Sequence, residues 1–253
     1  MPVNFDDIFS EYEALVGNVE TVFAAVRERC PQEVRCAPGC SDCCQAIFDL
    51  SLVEAMYLNK AFNERLEKDA REAILARADE AERKQHKLVR KTVKAHSGEN
   101  EDAAILDELA RQRIRCPLLD AAERCEFYGQ RPITCRLYGI PTSIGGEAHT
   151  CGLSGFAPGA PYPTVQLEKI QDRLMALSLR IQERVLSRYS GLAAIHVPVA
   201  SALINTYDKE YLGSRTPEEV EADRRRLEGK APSERAGRSS HGPQIRTLGG
   251  EEE

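Results

Sequence analysis

Four cysteines crowd one short segment of this chain, residues 36–44, in a C-x3-C-x2-C-C spacing. We call them the loop cysteines: Cys36, Cys40, Cys43 and Cys44. Pro38 and Gly39 lie between the first two, and this pair predicts a loop rather than a helix or a strand. Packing does not require four thiols on one loop, whereas zinc and iron sites do use clustered thiolates, which are soft donors. The segment therefore predicts a metal site.

A second set of cysteines lies in a stretch that lacks helical periodicity. Residues 115–163 are rich in Gly, Pro and Cys. So long a segment without regular structure is unusual unless something besides packing holds it in place. We call its thiols the distal cysteines: Cys116, Cys125, Cys135 and Cys151. We expect the fold to bring the two sets together around metal, because thiolate–metal bonds would order this stretch.

The eight thiols leave the metal and the number of centres open. They suffice for two four-thiolate centres or for one centre with spare thiols, holding either zinc or an iron–sulfur cluster, with [4Fe–4S] as the first expectation. Cys43 and Cys44 are adjacent, and neighbouring side chains tend to point apart, so we expect one ligand per site or one ligand beside a further thiol. His149 is a candidate replacement ligand, and Cys30 is left outside the site.

Arginines near the cysteines suit a negatively charged centre. A four-thiolate zinc or iron–sulfur site carries net negative charge, which nearby guanidinium groups would offset. We expect Arg131 and Arg136 either to support the ligands through outer contacts or to have this charge-compensating role. Pro132 is expected to fix the turn that presents Cys135.

The spacing around the distal cysteines extends into a specific motif. Cys116 is followed by Pro-Leu-Leu, and residues 125–138 have the pattern C-x2-Y-x2-R-P-x2-C-R-x-Y. Together with the loop cysteines and Cys151, this motif closely resembles the CxxCxxCC (YkgJ-like) family of zinc- or iron-chelating cysteine-cluster proteins over residues 36–151. The first gap holds three residues here instead of two. The resemblance implies metal binding through the eight cysteines and leaves a structural, redox or metal-handling role open.

Two enzymatic alternatives use similar cysteines. Flagellin lysine N-methylases share a comparable cluster, so the chain is alternatively a metal-dependent modifying enzyme, although no strand–GxGxxG–helix element for a methyl donor is present. The spacing of Cys36, Cys40 and Cys43 also occurs in radical S-adenosylmethionine enzymes. Those enzymes need a (β/α) barrel, which the helical periodicity of this chain disfavours.

Composition and charge limit the partners. A net charge of −6 and a pI near 5.6 disfavour a nucleic-acid binder, which usually has a basic face. No apolar run approaches the roughly 18 residues that span a bilayer. The acidic, amphipathic start of the sequence is unlike a secretory signal, so we expect a cytoplasmic protein with reduced thiols. A metal ion or cluster is the predicted partner, and a protein partner is left open.

Hydrophobic periodicity predicts a mainly α fold, with a helical scaffold around the irregular Cys-rich region at about 30–163. We expect one helical domain over residues 1–228 and a disordered tail at 229–253, where the composition cannot bury enough apolar surface. Thr164 and Pro198 are expected to start two late helices, the second reaching about Leu212. The predicted helices span residues 4–29, 51–66, 67–96, 101–113, 164–191, 198–212 and 216–227.

Overall fold

The computed structural model describes residues 3–37, 39–95, 105, 108–109 and 111–228. These residues form mainly α-helix, which confirms the predicted fold class. The strands among them are only two or three residues long. Seven helices have both ends within the described residues: α1 (Asp6–Arg29), α2 (Leu52–Arg65), α3 (Lys68–Ala95), α4 (Ile133–Leu137), α5 (Leu167–Arg184), α6 (Val199–Ile204) and α7 (Pro217–Glu228).

The apolar stripe of α1 faces the core of the protein. It packs against α2, α4 and α5 in one cluster of buried side chains. Asp6 and Asp7 lie in the first turn, where they complement the helix dipole, and the Asn4 side chain accepts a hydrogen bond from the Asp6 N–H at 2.6 Å. The buried residues recur at helical spacing along the stripe: Ile8, Phe9, Tyr12, Val19 and Val26.

A second buried cluster lies on the other side of α2. Leu58 and Phe62 of α2 pack there against Ile74 of α3 and Leu203 of α6. The face of α3 opposite this cluster carries charged residues, several of them in i,i+4 ion pairs. Helix α2 therefore contributes to both clusters and is central to the scaffold.

Five short strands lie between helices in the part of the chain that the structure describes. Strands β1 (Asp49–Ser51) and β5 (His196–Pro198) pair antiparallel directly before α2 and α6. Strand β2 (Thr142–Ile144) pairs antiparallel with β3 (Glu147–His149) and parallel with β4 (Val165–Gln166). The second sheet therefore joins the segment 142–149 to the residues directly before α5.

Some predicted boundaries are corrected by the structure. The stretch predicted to be irregular contains the β2–β3 hairpin, whose two-residue turn is formed by Gly145 and Gly146, both at positive φ. Helix α5 begins at Leu167, because the residues after Thr164 pair as β4. Helix α6 ends at Ile204, well before the predicted end.

Two predicted segments lie wholly or largely outside the described residues, namely the helix at 101–113 and the tail at 229–253. Within the described residues, none of the helices combines the length and the apolar character needed to cross a bilayer.

Glu54 links the start of α2 to the start of α4. Its carboxylate accepts hydrogen bonds from the Ser51 N–H at 3.2 Å and the Ser51 hydroxyl at 2.9 Å, which completes a capping box. It also accepts a bond at 3.1 Å from the Ile133 N–H, in the first turn of α4. Burial raises the pKa of this carboxyl, and the three hydrogen bonds oppose that shift. Glu54 therefore fixes the position of the helix that carries Cys135.

Replacing Glu54 by glutamine is expected to destabilise the fold by about 1–3 kcal/mol. The amide NH2 cannot accept the hydrogen bonds that one carboxylate oxygen now accepts, so a buried N–H loses its partner. Urea unfolding measures the change. Glu64→Gln is the matched control, because Glu64 is an exposed carboxylate on the same helix and pairs only with exposed Lys60. Equal stability of the two variants would contradict the role assigned to Glu54.

Candidate metal centre

Backbone pairing brings the two cysteine sets together. The segment that follows the loop cysteines runs antiparallel to the segment that leads into the first distal cysteine. The Cys116 N–H donates to the Cys44 carbonyl at 2.7 Å, and the Ile114 N–H donates to the Gln45 carbonyl at 3.0 Å. These bonds hold Cys44 and Cys116 side by side although 71 residues separate them in the chain.

A tight turn places Cys125 close to Cys116. Leu119 and Cys125 pair antiparallel across this turn. The Asp120 side chain accepts hydrogen bonds from the backbone N–H groups of Ala122 and Arg124, each at 2.8 Å. Aspartate is common in such turns because its carboxylate accepts hydrogen bonds from nearby backbone N–H groups. The turn therefore brings two distal thiols to one end of the antiparallel pair.

Helix α4 contributes Cys135, and Arg136 holds the turn before that helix. The Arg136 guanidinium is buried and donates to the carbonyls of Arg131 at 2.7 Å and Gly129 at 2.5 Å. It also pairs with Glu20 of α1. Arg136 therefore anchors the α4 turn to α1, which agrees with the first of the two roles expected of it, support of the site through outer contacts.

Five thiols surround one apolar cavity of about 50 Å³. Its other walls include Phe48 and Leu118, and the Arg131 side chain also lines it. The Sγ atoms of Cys43 and Cys44 lie 3.9 Å apart, so these neighbours converge, contrary to the expectation that they would point apart. The short 3-10 helix Asp42–Cys44 allows this arrangement. We call the five the inner thiols: Cys43, Cys44, Cys116, Cys125 and Cys135.

The inner thiols differ in acidity. A hydrogen bond from Cys44 lowers the pKa of Cys43 to about 7, against an opposing effect of burial, and the Arg131 guanidinium contributes further lowering. Burial raises the pKa of Cys116 to about 12 and that of Cys135 well above its usual value. Negative charge on Cys43 opposes ionisation of Cys44, Cys116, Cys125 and Cys135.

Arg131 has the charge effects on the thiols that are expected of a charge-compensating residue. Its guanidinium stacks 3.5 Å from the ring centroid of Tyr128, and its Nε donates to the Tyr128 carbonyl at 3.0 Å. Its charge lowers the pKa values of Cys43, Cys125 and Cys135. A fixed guanidinium at this position favours thiolate over thiol, as expected for a charge-compensating residue.

The three remaining site cysteines lie together on the solvent side, and we call them the outer thiols: Cys36, Cys40 and Cys151. Cys40 is exposed, and the other two are partly buried. The Cys36 thiol donates to the Tyr138 carbonyl at 3.3 Å. Burial, followed by the charges of Cys40, Cys151 and Cys43, raises the pKa of Cys36 to about 11. Cys36 therefore lies within electrostatic range of the other two outer thiols and of Cys43.

A carboxylate that the sequence analysis did not select lies among the outer thiols. Asp42 Oδ2 is 3.5 Å from the Cys151 Sγ and accepts a hydrogen bond from the Tyr138 hydroxyl at 2.9 Å. Its Oδ1 pairs with Arg113 at 3.1 Å. The only sequence signal was its position in the spacer between Cys40 and Cys43.

His149 and Cys30 differ in burial. His149, the candidate replacement ligand, is exposed on β3, and Cys30, which the sequence analysis left outside the site, is buried in the core at the end of α1. Among the described residues, no group of three or more His, Cys, Asp or Glu side chains is positioned to hold a metal ion as it stands. The thiols are gathered, and ligation of a single ion would need them to move closer.

The fold and the thiols together define a helical cysteine-cluster protein. Residues 35–152 match the family model CxxCxxCC, described as "Putative zinc- or iron-chelating domain". The family predicted from the cysteine motif is thus confirmed: residues 35–152 are a CxxCxxCC domain. This match supports metal binding by the chain. Comparisons with curated proteins and with solved structures gave no match.

Proposed function

We propose that this chain is an iron–sulfur protein that holds [4Fe–4S] clusters on its loop and distal cysteines. The observation that carries the proposal is the lining of one cavity by five of the eight cysteines of this domain, with Cys40 and Cys151 close enough to Cys36 for their charges to act on it. Cysteine thiolates are the usual ligands of such clusters. When bound, the cluster would supply one-electron redox chemistry.

The cavity beside the inner thiols favours a cluster over a single zinc ion. Zinc draws its four ligands to about 2.3 Å from one point when they are thiolates. None of the described side chains is arranged in that way. A four-iron cluster is larger and spans more widely separated sulfur atoms, and the cavity beside the inner thiols lies where such a group would fit.

The surroundings of the inner thiols suit a buried anionic group. The cavity wall is apolar except for the thiols and a few polar side chains, Arg131 among them. An apolar wall excludes water, and burial and solvent exposure are among the factors that set a cluster's reduction potential. Arg131 would offset the negative charge of the ligated thiolates, and Glu54 and Arg136 would hold α4 so that Cys135 keeps its position.

Purification of the full chain without oxygen tests the proposal. We expect a brown protein that absorbs visible light, as iron–sulfur proteins do. We also expect it to contain iron and acid-labile sulfide in a ratio of about one to one. A colourless protein with stoichiometric zinc would contradict the cluster and indicate a zinc site instead. Absence of both metals would overturn metal binding by these cysteines. Saturable binding of S-adenosylmethionine to the metal-loaded protein would favour the lysine-methylase-like alternative.

A further inference from the structure

The inner and outer groups hold unequal numbers of thiols. Cys43 and Cys44 line the cavity together with Cys116, Cys125 and Cys135, and the Sγ atoms of this adjacent pair lie 3.9 Å apart. The inner group therefore contains one thiol more than a four-ligand centre uses. The outer group contains one fewer.

Asp42 contacts one outer thiol directly and is linked to a second through Tyr138. The Asp42 Oδ2 atom is in contact with the Cys151 Sγ and accepts a hydrogen bond from the Tyr138 hydroxyl. The carbonyl of the same tyrosine accepts a hydrogen bond from the Cys36 thiol. One tyrosine thus contacts both Cys36 and Asp42. The Asp42 side chain is 15% exposed, so it faces the thiols more than it faces water.

We propose that Asp42 is the fourth ligand of an outer metal centre whose other ligands are Cys36, Cys40 and Cys151. The inference rests on the proposed function, because it requires that these cysteines bind metal. Carboxylate oxygen is an accepted ligand for zinc and iron alongside thiolates. Nothing in the cysteine motif assigns this role to a residue of the spacer.

The partners of Asp42 are those expected around a ligating carboxylate. Ligating carboxylates are themselves hydrogen-bonded by outer groups that fix their orientation. Tyr138 and Arg113 supply two such bonds, one to each oxygen. The Cys151 thiol loses its proton when it ligates, so its present contact with Oδ2 would give way to a shared metal.

A mixed centre of this kind would exchange metal more readily than the inner one. Carboxylate is a harder donor than thiolate and binds soft or borderline metals less tightly. The outer centre also includes the exposed Cys40, whereas the inner thiols are partly buried. We therefore expect the outer centre to release metal first when a chelator is added.

Metal analysis of four anaerobically reconstituted full-length variants tests the assignment. Cys36→Ser and Cys116→Ser serve as references for loss of the outer and the inner centre. We expect Asp42→Asn to lose about half of the bound iron and to match Cys36→Ser in its visible and EPR spectra. Asp42→Cys should keep the wild-type iron content and release it to a chelator several-fold more slowly than wild type, because a thiolate replaces the carboxylate.

The thiol substitution separates ligation from a purely structural role. A cysteine at position 42 cannot reproduce the paired contacts of the carboxylate with Tyr138 and Arg113, so its rescue of metal binding requires that residue 42 ligates. Loss of iron in both Asp42→Asn and Asp42→Cys would overturn the assignment. Wild-type iron content and release rate in Asp42→Asn would also overturn it.

Cys43→Ser provides a further discriminating variant. If its spectra match those of Cys36→Ser, Cys43 completes the outer centre and the assignment of Asp42 is wrong. We expect Cys43→Ser to leave the outer centre filled. Wild-type protein that binds no metal would overturn the proposed function together with this inference, whereas an unchanged Asp42→Asn would overturn the inference alone.

Discussion

Replacing Cys135 by serine should empty the inner centre and destabilise the region around it. Metal bonds to thiolates in a segment with little regular structure contribute directly to folding. Loss of a direct ligand should weaken metal binding by more than the roughly 10–100-fold that follows loss of an outer hydrogen-bonding partner. Iron analysis of the anaerobic protein and its melting temperature measure the two effects.

Cys30→Ala is the matched control for this variant. Cys30 is buried in the hydrophobic cluster at the end of α1, away from the inner thiols. We expect it to retain all metal and to lose only the packing of one small apolar group, about 1 kcal/mol. Full metal content in Cys135→Ser would remove Cys135 from the set of ligands.

Gly139→Ala should displace Cys36 and weaken the outer centre. Gly139 has φ +112°, a backbone conformation that residues with a Cβ rarely adopt. A Cβ at this position would also overlap the Cys36 sulfur. We expect a stability loss of about 1–3 kcal/mol from the backbone alone, together with a lower metal content because Cys36 must move.

Gly145→Ala separates these two effects. Gly145 also has positive φ, at +59°, but a Cβ there would meet nothing within 4 Å. We expect it to cost about 1 kcal/mol of stability and no metal. If Gly139→Ala retained metal as well as Gly145→Ala does, the contact between Gly139 and Cys36 would have no part in the site.

Local sequence signals predicted several features of the fold correctly. The Ser51–Glu54 capping box and the apolar rhythm that follows it specified α2, because both depend on residues within one or two helical turns. The start of α5 was predicted three residues early, because pairing of β4 with β2 depends on a strand that is distant in sequence. The β2–β3 hairpin was missed although Gly145 and Gly146 are a turn signal.

The sequence by itself determined which residues are candidate ligands, because C-x3-C-x2-C-C and the motif around Cys135 are patterns of residue type and spacing. Only the tertiary structure decided how those thiols divide. The division into inner and outer thiols depends on backbone bonds between Cys44 and Cys116, and on a 3-10 turn that directs Cys43 and Cys44 to the same cavity. The place of Asp42 among the outer thiols likewise depends on Tyr138 and Arg113, contacts between residues far apart in the chain that no local spacing encodes.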